Sequence, residues 1–400
     1  MNITIKAKKD SKRFRNIKLC IFLSGLSVFA QLYLFQPLLP MVTEHFNRSV
    51  GDSSLLVSSA TIGMALGLFF FAFKADQFSR KKLMVFSLLA SAILTIISAH
   101  IESLALLIII GVVKGFIISG VSAVALAYLT EEVDLAIVGL AISMYVSGNT
   151  IGGMSGRILA TIVSGELGWQ TAVLVIGIQS LLLGLIFWKF FPESRFFTPQ
   201  KTDFIQKFKQ MRRFLSDPYM LRLYGIAALL MGVFVSVYNY LTFRLEAPPF
   251  SLHHIFVAFI FLMYTFGVFG TMATSRMVKR YAPENILKFF IISMFIGVFM
   301  LFSKHIYILI TGLALLTFSF FAVHTMASRM VAMHAKEGKS SATSIYWLVY
   351  YLGSSVLGSG TGYLLHATSW MGFILFLMFV ILITFFLTAK SNRANQNQIN

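Results

Sequence analysis

Charge is scarce in this chain, and that scarcity excludes most of the ordinary classes. Charged residues are only 12% of 400, while hydrophobic residues make up 57% and the mean hydropathy is +0.80. Neither a soluble globular domain nor a disordered chain tolerates that balance; several membrane spans do. Cysteine is scarcer still: Cys20 stands alone, so no internal disulfide can form and cysteine content says nothing about compartment. Acidic side chains are missing from the middles of the apolar runs. Glu44, Asp52, Glu102, Glu131, Glu132, Asp134 and Glu166 all fall at run ends or in connections. Patterns of the form H-x-x-x-D, G-x-S-x-G or H-E-x-x-H and paired cysteines are also lacking. A membrane-embedded enzyme would need His, Asp or Glu clustered at one depth. We therefore expect no catalytic residues, no metal and no cofactor. No soluble domain is attached, which disfavours a sensor.

What is present is a succession of apolar runs long enough to cross about 30 Å of hydrocarbon. They fall at 18–42, 53–73, 83–99, 103–128, 136–164, 169–191, 219–243, 255–275, 286–302, 306–328, 342–365 and 370–388, which makes twelve. The basic start, Lys6 through Lys18, precedes the first run without a small-residue cleavage site, so an uncleaved first helix is expected. The net charge of +18 raises the question of nucleic acid, but the basic residues form no face. They lie in the connections: 28 of the 33 Lys and Arg fall on the side of the termini, and the opposite loops hold Arg48, Arg244 and Lys304. By the positive-inside rule both termini are expected in the cytoplasm, with no nucleic-acid partner.

The two halves of the chain repeat. The stretch Tyr145-Val-Ser-Gly-Asn-Thr-Ile-Gly152-Gly-Met-Ser-Gly156-Arg157 aligns without a gap on Tyr351-Leu-Gly-Ser-Ser-Val-Leu-Gly358-Ser-Gly-Thr-Gly362-Tyr363, an offset of 206. Each is a small-residue stripe that lets another helix backbone approach closely. A duplicated membrane unit is the expected build of a secondary transporter. The expected fold class is an all-α membrane protein of two pseudo-symmetric six-helix bundles. Residues 1–192 would form the first bundle and 219–400 the second. The stretch 193–218, which carries Lys201, Lys207, Lys209, Arg212 and Arg213, would be a cytoplasmic linker lying on the anionic inner leaflet.

Between the second and third runs stands Ala72-Phe-Lys74-Ala-Asp76-Gln-Phe-Ser79-Arg80-Lys81-Lys82. It resembles the loop signature G-x-L-a-D-r-x-G-r-k of the major facilitator superfamily; Asp76, Arg80 and Lys81 match, while Ala72, Lys74 and Ser79 replace Gly, Leu and Gly. A carboxylate there could meet the positive end of helix eleven and act as a conformational latch. The corresponding loop of the second half, Gly270 to Arg280, has no aspartate. In the fifth run, Gly148, Gly152, Gly153 and Gly156 look like the antiporter signature G-x-x-x-G-P-x-x-G-G of drug-exporting facilitators, with Gly153 at the Pro position and Arg157 at a Gly position. Further stretches, among them Leu32-Tyr33-Leu-Phe-Gln36-Pro37, Tyr238-Asn239-Tyr240, Phe320-Phe-Ala-Val-His324 and Tyr350-Tyr-Leu-Gly-Ser-Ser355, are similar to the YnfM-like, acriflavine-sensitivity branch of that superfamily. The resemblance implies the twelve-helix facilitator fold, a location in the bacterial inner membrane, a monomer, and proton-driven export of a small molecule. An importer or uniporter of the same fold is the alternative.

Polar residues inside a membrane are costly and usually face a cavity or a partner. Lys114, in the fourth run, is a candidate cavity residue, with a snorkelling or paired lysine as the other reading. Arg157, Asn149, Gln36, Tyr238, Asn239, His324, Tyr346 and Tyr350 complete the substrate-cavity candidates. Gln36-Pro37 could kink its helix, and His324 could titrate near neutral pH. A cavity with Lys114 and without a mid-span acid favours anionic or neutral amphipathic solutes over cations. The proton would then have to travel on Asp76, Asp52, Glu131 or His324.

Overall fold

A computed structural model describes residues 6–199, 204–335 and 337–396. Residues 200–203 of the expected linker, with Lys201, lie outside them. The described chain is helical throughout, its one extended pairing being an isolated bridge between Ala7 and Val133. The helices are α1 (Lys12–Leu32), α2 (Leu39–His45), α3 (Val50–Lys74), α4 (Arg80–Ser98), α5 (Leu104–Glu132), α6 (Val138–Phe190), α7 (Phe204–Leu215), α8 (Pro218–Glu246), α9 (His254–Ile260), α10 (Tyr264–Met277), α11 (Pro283–Met300), α12 (Ile306–His334), α13 (Lys339–Ala367) and α14 (Trp370–Gln396). Two compact units emerge: residues 1–41 with 59–204, and residues 42–58 with 205–400.

Among the described residues, nine helical stretches are long and apolar enough to cross a bilayer. One of them, α6, runs 53 residues and covers both the fifth and the sixth expected runs. Gly168 interrupts it at φ 81° and ψ 164°, a conformation open to glycine, so α6 is two consecutive helices. The first and eleventh expected runs correspond to α1 and α13, both long helices outside that set of nine.

Local chemistry sets the helix ends. The Ser11 side chain accepts from the Phe14 N–H at the start of α1, and Ser103 does the same for Leu106 at the start of α5. Asp217 caps α8 by accepting from the N–H groups of Tyr219 and Met220, with Pro218 in the first turn, where its missing N–H costs nothing. α1 stops at Leu32 because Pro37 follows within a turn; Gln36 N and Leu38 N fold back onto the carbonyls of Tyr33 and Phe35 at 3.1 Å each.

In each unit the glycine stripe receives the unit's first long helix. In the first unit a Cβ on Gly148 would meet the Phe22 carbonyl, one on Gly152 the backbone of Leu26, and one on Gly156 the Cα of Ala30. All three neighbours lie on α1, which packs more extensively on α6 than on any other helix. In the second unit α13 seats α8 in the same manner: Gly353 lies against the Ala228 carbonyl and Gly358 against Val235. The expected groove is thus a real close approach of backbones, four residues apart along one face. Gly153 is off that face, with Arg157 Nη1 as its nearest neighbour at 3.2 Å.

Candidate functional site

The first unit buries its two intramembrane cations in different ways. Arg157, on α6, is 2% exposed and its donors are committed. Nε donates to Gln36 Oε1 at 2.7 Å and Nη1 to the Gly153 carbonyl at 2.5 Å, while the guanidinium lies 4.5 Å from the centre of the Tyr33 ring. Gln36 is itself fully buried, in the turn that Pro37 forces between α1 and α2. A buried amide needs a partner, and Arg157 supplies it. The structure therefore brings Arg157 and Gln36 together as a brace for the helix break. Asn149, one turn before Gly153, lies against Gly25 of α1, where a Cβ would run into its side chain.

Lys114 is different. It is 2% exposed, on the face of α5 that packs against α3 through Gly111 beside Ser59 and Gly115 beside the Ala60 carbonyl. Its ammonium stands 5.6 Å from the centre of the Phe35 ring. Among the described residues, neither a carboxylate nor a hydrogen-bond acceptor meets it. An ammonium offers three donors and loses much of its hydration on burial, so this arrangement holds an unmet demand for an acceptor.

The loop after α3 forms a charge cluster with the end of α5. Arg80 Nη2 donates to Asp76 Oδ1 at 3.0 Å and to Glu131 Oε1 at 2.8 Å, and Arg80 Nη1 donates to the Ala75 carbonyl at 3.0 Å. The guanidinium also lies over the Phe197 ring at 4.5 Å. Lys81 pairs with Glu193 at 3.1 Å. Thus, of the three expected latch residues, Asp76 and Arg80 are joined to each other, and Lys81 faces the stretch that follows α6. Beside them Glu132 is fully buried; it accepts from Arg13 Nη2 at 2.6 Å and from the N–H groups of Arg195 and Phe196 at 2.5 and 2.9 Å. Sequence reasoning placed Glu132 merely at a span end. Two adjacent acids in so acid-poor a chain were the available signal.

In the second unit three candidates meet. Tyr346 Oη lies 2.9 Å from His324 Nδ1 and 3.3 Å from the His324 carbonyl. If Nδ1 carries the proton it donates to the hydroxyl, which donates to the carbonyl; if not, the hydroxyl donates to Nδ1. Phe320, Trp347 and Tyr350 surround the imidazole at ring-centre distances of 6.2, 5.3 and 4.8 Å. A narrow recess opens among Leu230, Phe320, His324, Tyr346 and Tyr350. Tyr238 and Asn239 point elsewhere. The Tyr238 hydroxyl is 2.8 Å from Thr317 Oγ1, and Asn239 Nδ2 donates to the Gly358 carbonyl at 3.2 Å, alongside Tyr240 Oη at 2.5 Å. Those bonds tie α8 to α12 and α13.

Comparison with known proteins accords with this architecture. The family model of the Major Facilitator Superfamily matches residues 21–358. A transporter of Buchnera aphidicola from Schizaphis graminum is 36% identical over 383 residues, covering 96% of this chain and 93% of that protein. The inner membrane transport protein YnfM of Escherichia coli is 33% identical over 386 residues, 96% of this chain and 93% of its own length. Among solved structures, a bacterial homologue of the human lysosomal transporter Spinster, in an inward-facing and occupied conformation, superposes with a TM-score of 0.78 at 15% identity, covering 96% of this chain and 98% of that one.

Proposed function

Because this chain belongs to the Major Facilitator Superfamily, and so is a multi-pass membrane transporter and not an enzyme, we propose that it exports small solutes by alternating access. The solutes are anionic or neutral and amphipathic, and export is driven by protons. The protein crosses the bacterial inner membrane twelve times as a monomer, with both termini in the cytoplasm. Residues 1–192 and 219–400 are its two bundles, joined by the linker 193–218.

One observation carries the solute class: Lys114 is buried without a counter-ion among the described residues. A solute carboxylate or carbonyl would meet that demand, whereas a cation would be repelled in a low-dielectric setting. The recess beside His324 supports an amphipathic rather than a purely polar solute, since rings make up most of its wall. Export and proton coupling rest on the likeness of the α6 glycines to the antiporter signature and on the carboxylates Asp76 and Glu131 held at Arg80.

Everted vesicles offered anionic, neutral and cationic compounds test this reading. Uptake of anions that a protonophore collapses is expected, and Lys114→Met should cut it at least tenfold at unchanged protein level. Wild-type flux in that variant removes Lys114 from the site. Equilibration indifferent to the protonophore would instead identify a uniporter.

A further inference from the structure

One element is not used by transport as described above. α7 reads Phe-Ile-Gln-Lys-Phe-Lys-Gln-Met-Arg-Arg-Phe-Leu; it has four basic residues, no acidic one, and six apolar ones. At 12 residues it is about 18 Å long. Its faces have separate occupants. Met211 and Phe214 are buried, and Gln210 Oε1 accepts from Ser341 Oγ at 3.1 Å in the first turn of α13. Gly338 sits beneath this contact at φ +67°, where a Cβ would come within 2.8 Å of Gln210 Oε1. A second face stays bare: Ile205 is 65% exposed, Phe208 53% and Leu215 48%. At 100° per residue, Arg212 falls within that arc and Lys209 and Arg213 just beyond its edge, all three exposed.

We propose that this second face of α7 rests on the bilayer surface, with Ile205, Phe208 and Leu215 among the acyl chains and Lys209, Arg212 and Arg213 on anionic lipid headgroups. Three observations choose a lipid surface over a protein. The charge is of one sign and lines the apolar arc, the arrangement of interfacial helices. Only Ser216 and Asp217 separate α7 from α8, a helix long and apolar enough to cross the membrane, so the face cannot lie far from the bilayer plane. The opposite face is already pinned to α13, which fixes which side of α7 remains available. Anionic lipid would then hold the start of α13 through Gln210 and Ser341. This inference does not depend on the solute, the coupling ion or the direction of transport.

Hydrogen exchange on the full chain in nanodiscs tests it. Discs of phosphatidylcholine alone are compared with discs containing one third phosphatidylglycerol. Amides of 205–215 should exchange at least fivefold more slowly with the anionic lipid, and the protection should vanish in 0.5 M salt. The variant Lys209→Gln/Arg212→Gln/Arg213→Gln should lose the lipid dependence while melting like wild type, since all three side chains are exposed. Phe208→Ser should weaken protection in anionic discs by itself, whether or not the charge variant folds. Equal exchange in both discs, or protection that survives removal of the three charges, overturns the proposal. So does protection that appears only when a soluble protein is added.

Discussion

Adjacent glycines on α6 should respond in opposite ways to one added methyl group. A Cβ at Gly152 would lie 2.7 Å from the carbonyl carbon of Leu26, with the Leu26 oxygen and Cα nearer still. Ordinary contact begins at 3.4 Å, and the obstruction is helix backbone, which no rotamer change can clear. α1 must retreat by about 1 Å, and a gap of that size forfeits a quarter to a half of the dispersion attraction along the seam. Overpacking of this kind costs about 1–3 kcal/mol, against a gain of roughly 0.5–1 kcal/mol for replacing a mid-helix glycine. Gly152→Ala should therefore lose about 1–2 kcal/mol. At Gly153 the nearest atoms are the end of the Arg157 side chain at 3.2 Å and Phe29 Cβ at 3.7 Å. Gly153→Ala should stay within about 0.5 kcal/mol of wild type, the usual range for a substitution away from tight packing. Unfolding in mixed micelles by increasing detergent denaturant gives both values side by side. Equal losses in the two variants would refute the seating of α1 in this stripe.

Three further outcomes are expected. Glu132→Ala strands Arg13 and two backbone N–H groups at a fully buried site, so it should cost on the order of 3 kcal/mol in the same unfolding assay, whereas Glu193→Ala, whose partner Lys81 is paired at the surface, should cost under about 1 kcal/mol. Asp76→Asn should slow turnover severalfold in vesicle flux while leaving solute affinity measured by binding unchanged, because it weakens the hold on Arg80 without touching Lys114; unchanged turnover dismisses a latch. At Asp217 burial pushes the carboxyl upward, but the hydrogen bonds from His334 and from the N–H groups of Tyr219 and Met220 outweigh it and leave the carboxyl below its ordinary range. Its folded-state pKa being the lower one, its stabilisation is present above about pH 4 and disappears as pH falls through the folded value. Melting curves should show Asp217→Ala less stable by about 1 kcal/mol at neutral pH, with the gap closing in acid.

Much of the fold is legible in the residues because apolar run length and glycine spacing are properties of one helix at a time. The stripe Gly148, Gly152, Gly156 and its echo at Gly358 and Gly362 follow from 3.6-residue periodicity alone. The fate of Arg157 does not, since it depends on Gln36, which lies 121 positions away and reaches it only because Pro37 breaks the first helix. The same distance in sequence hides Glu132: its partners Arg13 and Arg195 come from either end of the first unit. The break in α6 was similarly obscured. A glycine at 168 suggests a connection, yet Glu166 and Leu167 remain helical on one side and Trp169 on the other, so the turn is a single residue rather than a loop. Lys114 was conspicuous for an opposite reason: a lone cation in an apolar run needs no partner elsewhere to be noticed.

The seating of α1 against α6 also sets an order of events during synthesis. The lysine-flanked opening segment leaves the ribosome more than a hundred residues ahead of the glycines that will hold it. Until then its widest surface has only lipid or the insertion machinery for company. α8 must likewise wait for α13 in the later portion of the chain. Each portion is thus closed by a late arrival, and a chain interrupted before position 148 would leave its opening helix without a berth.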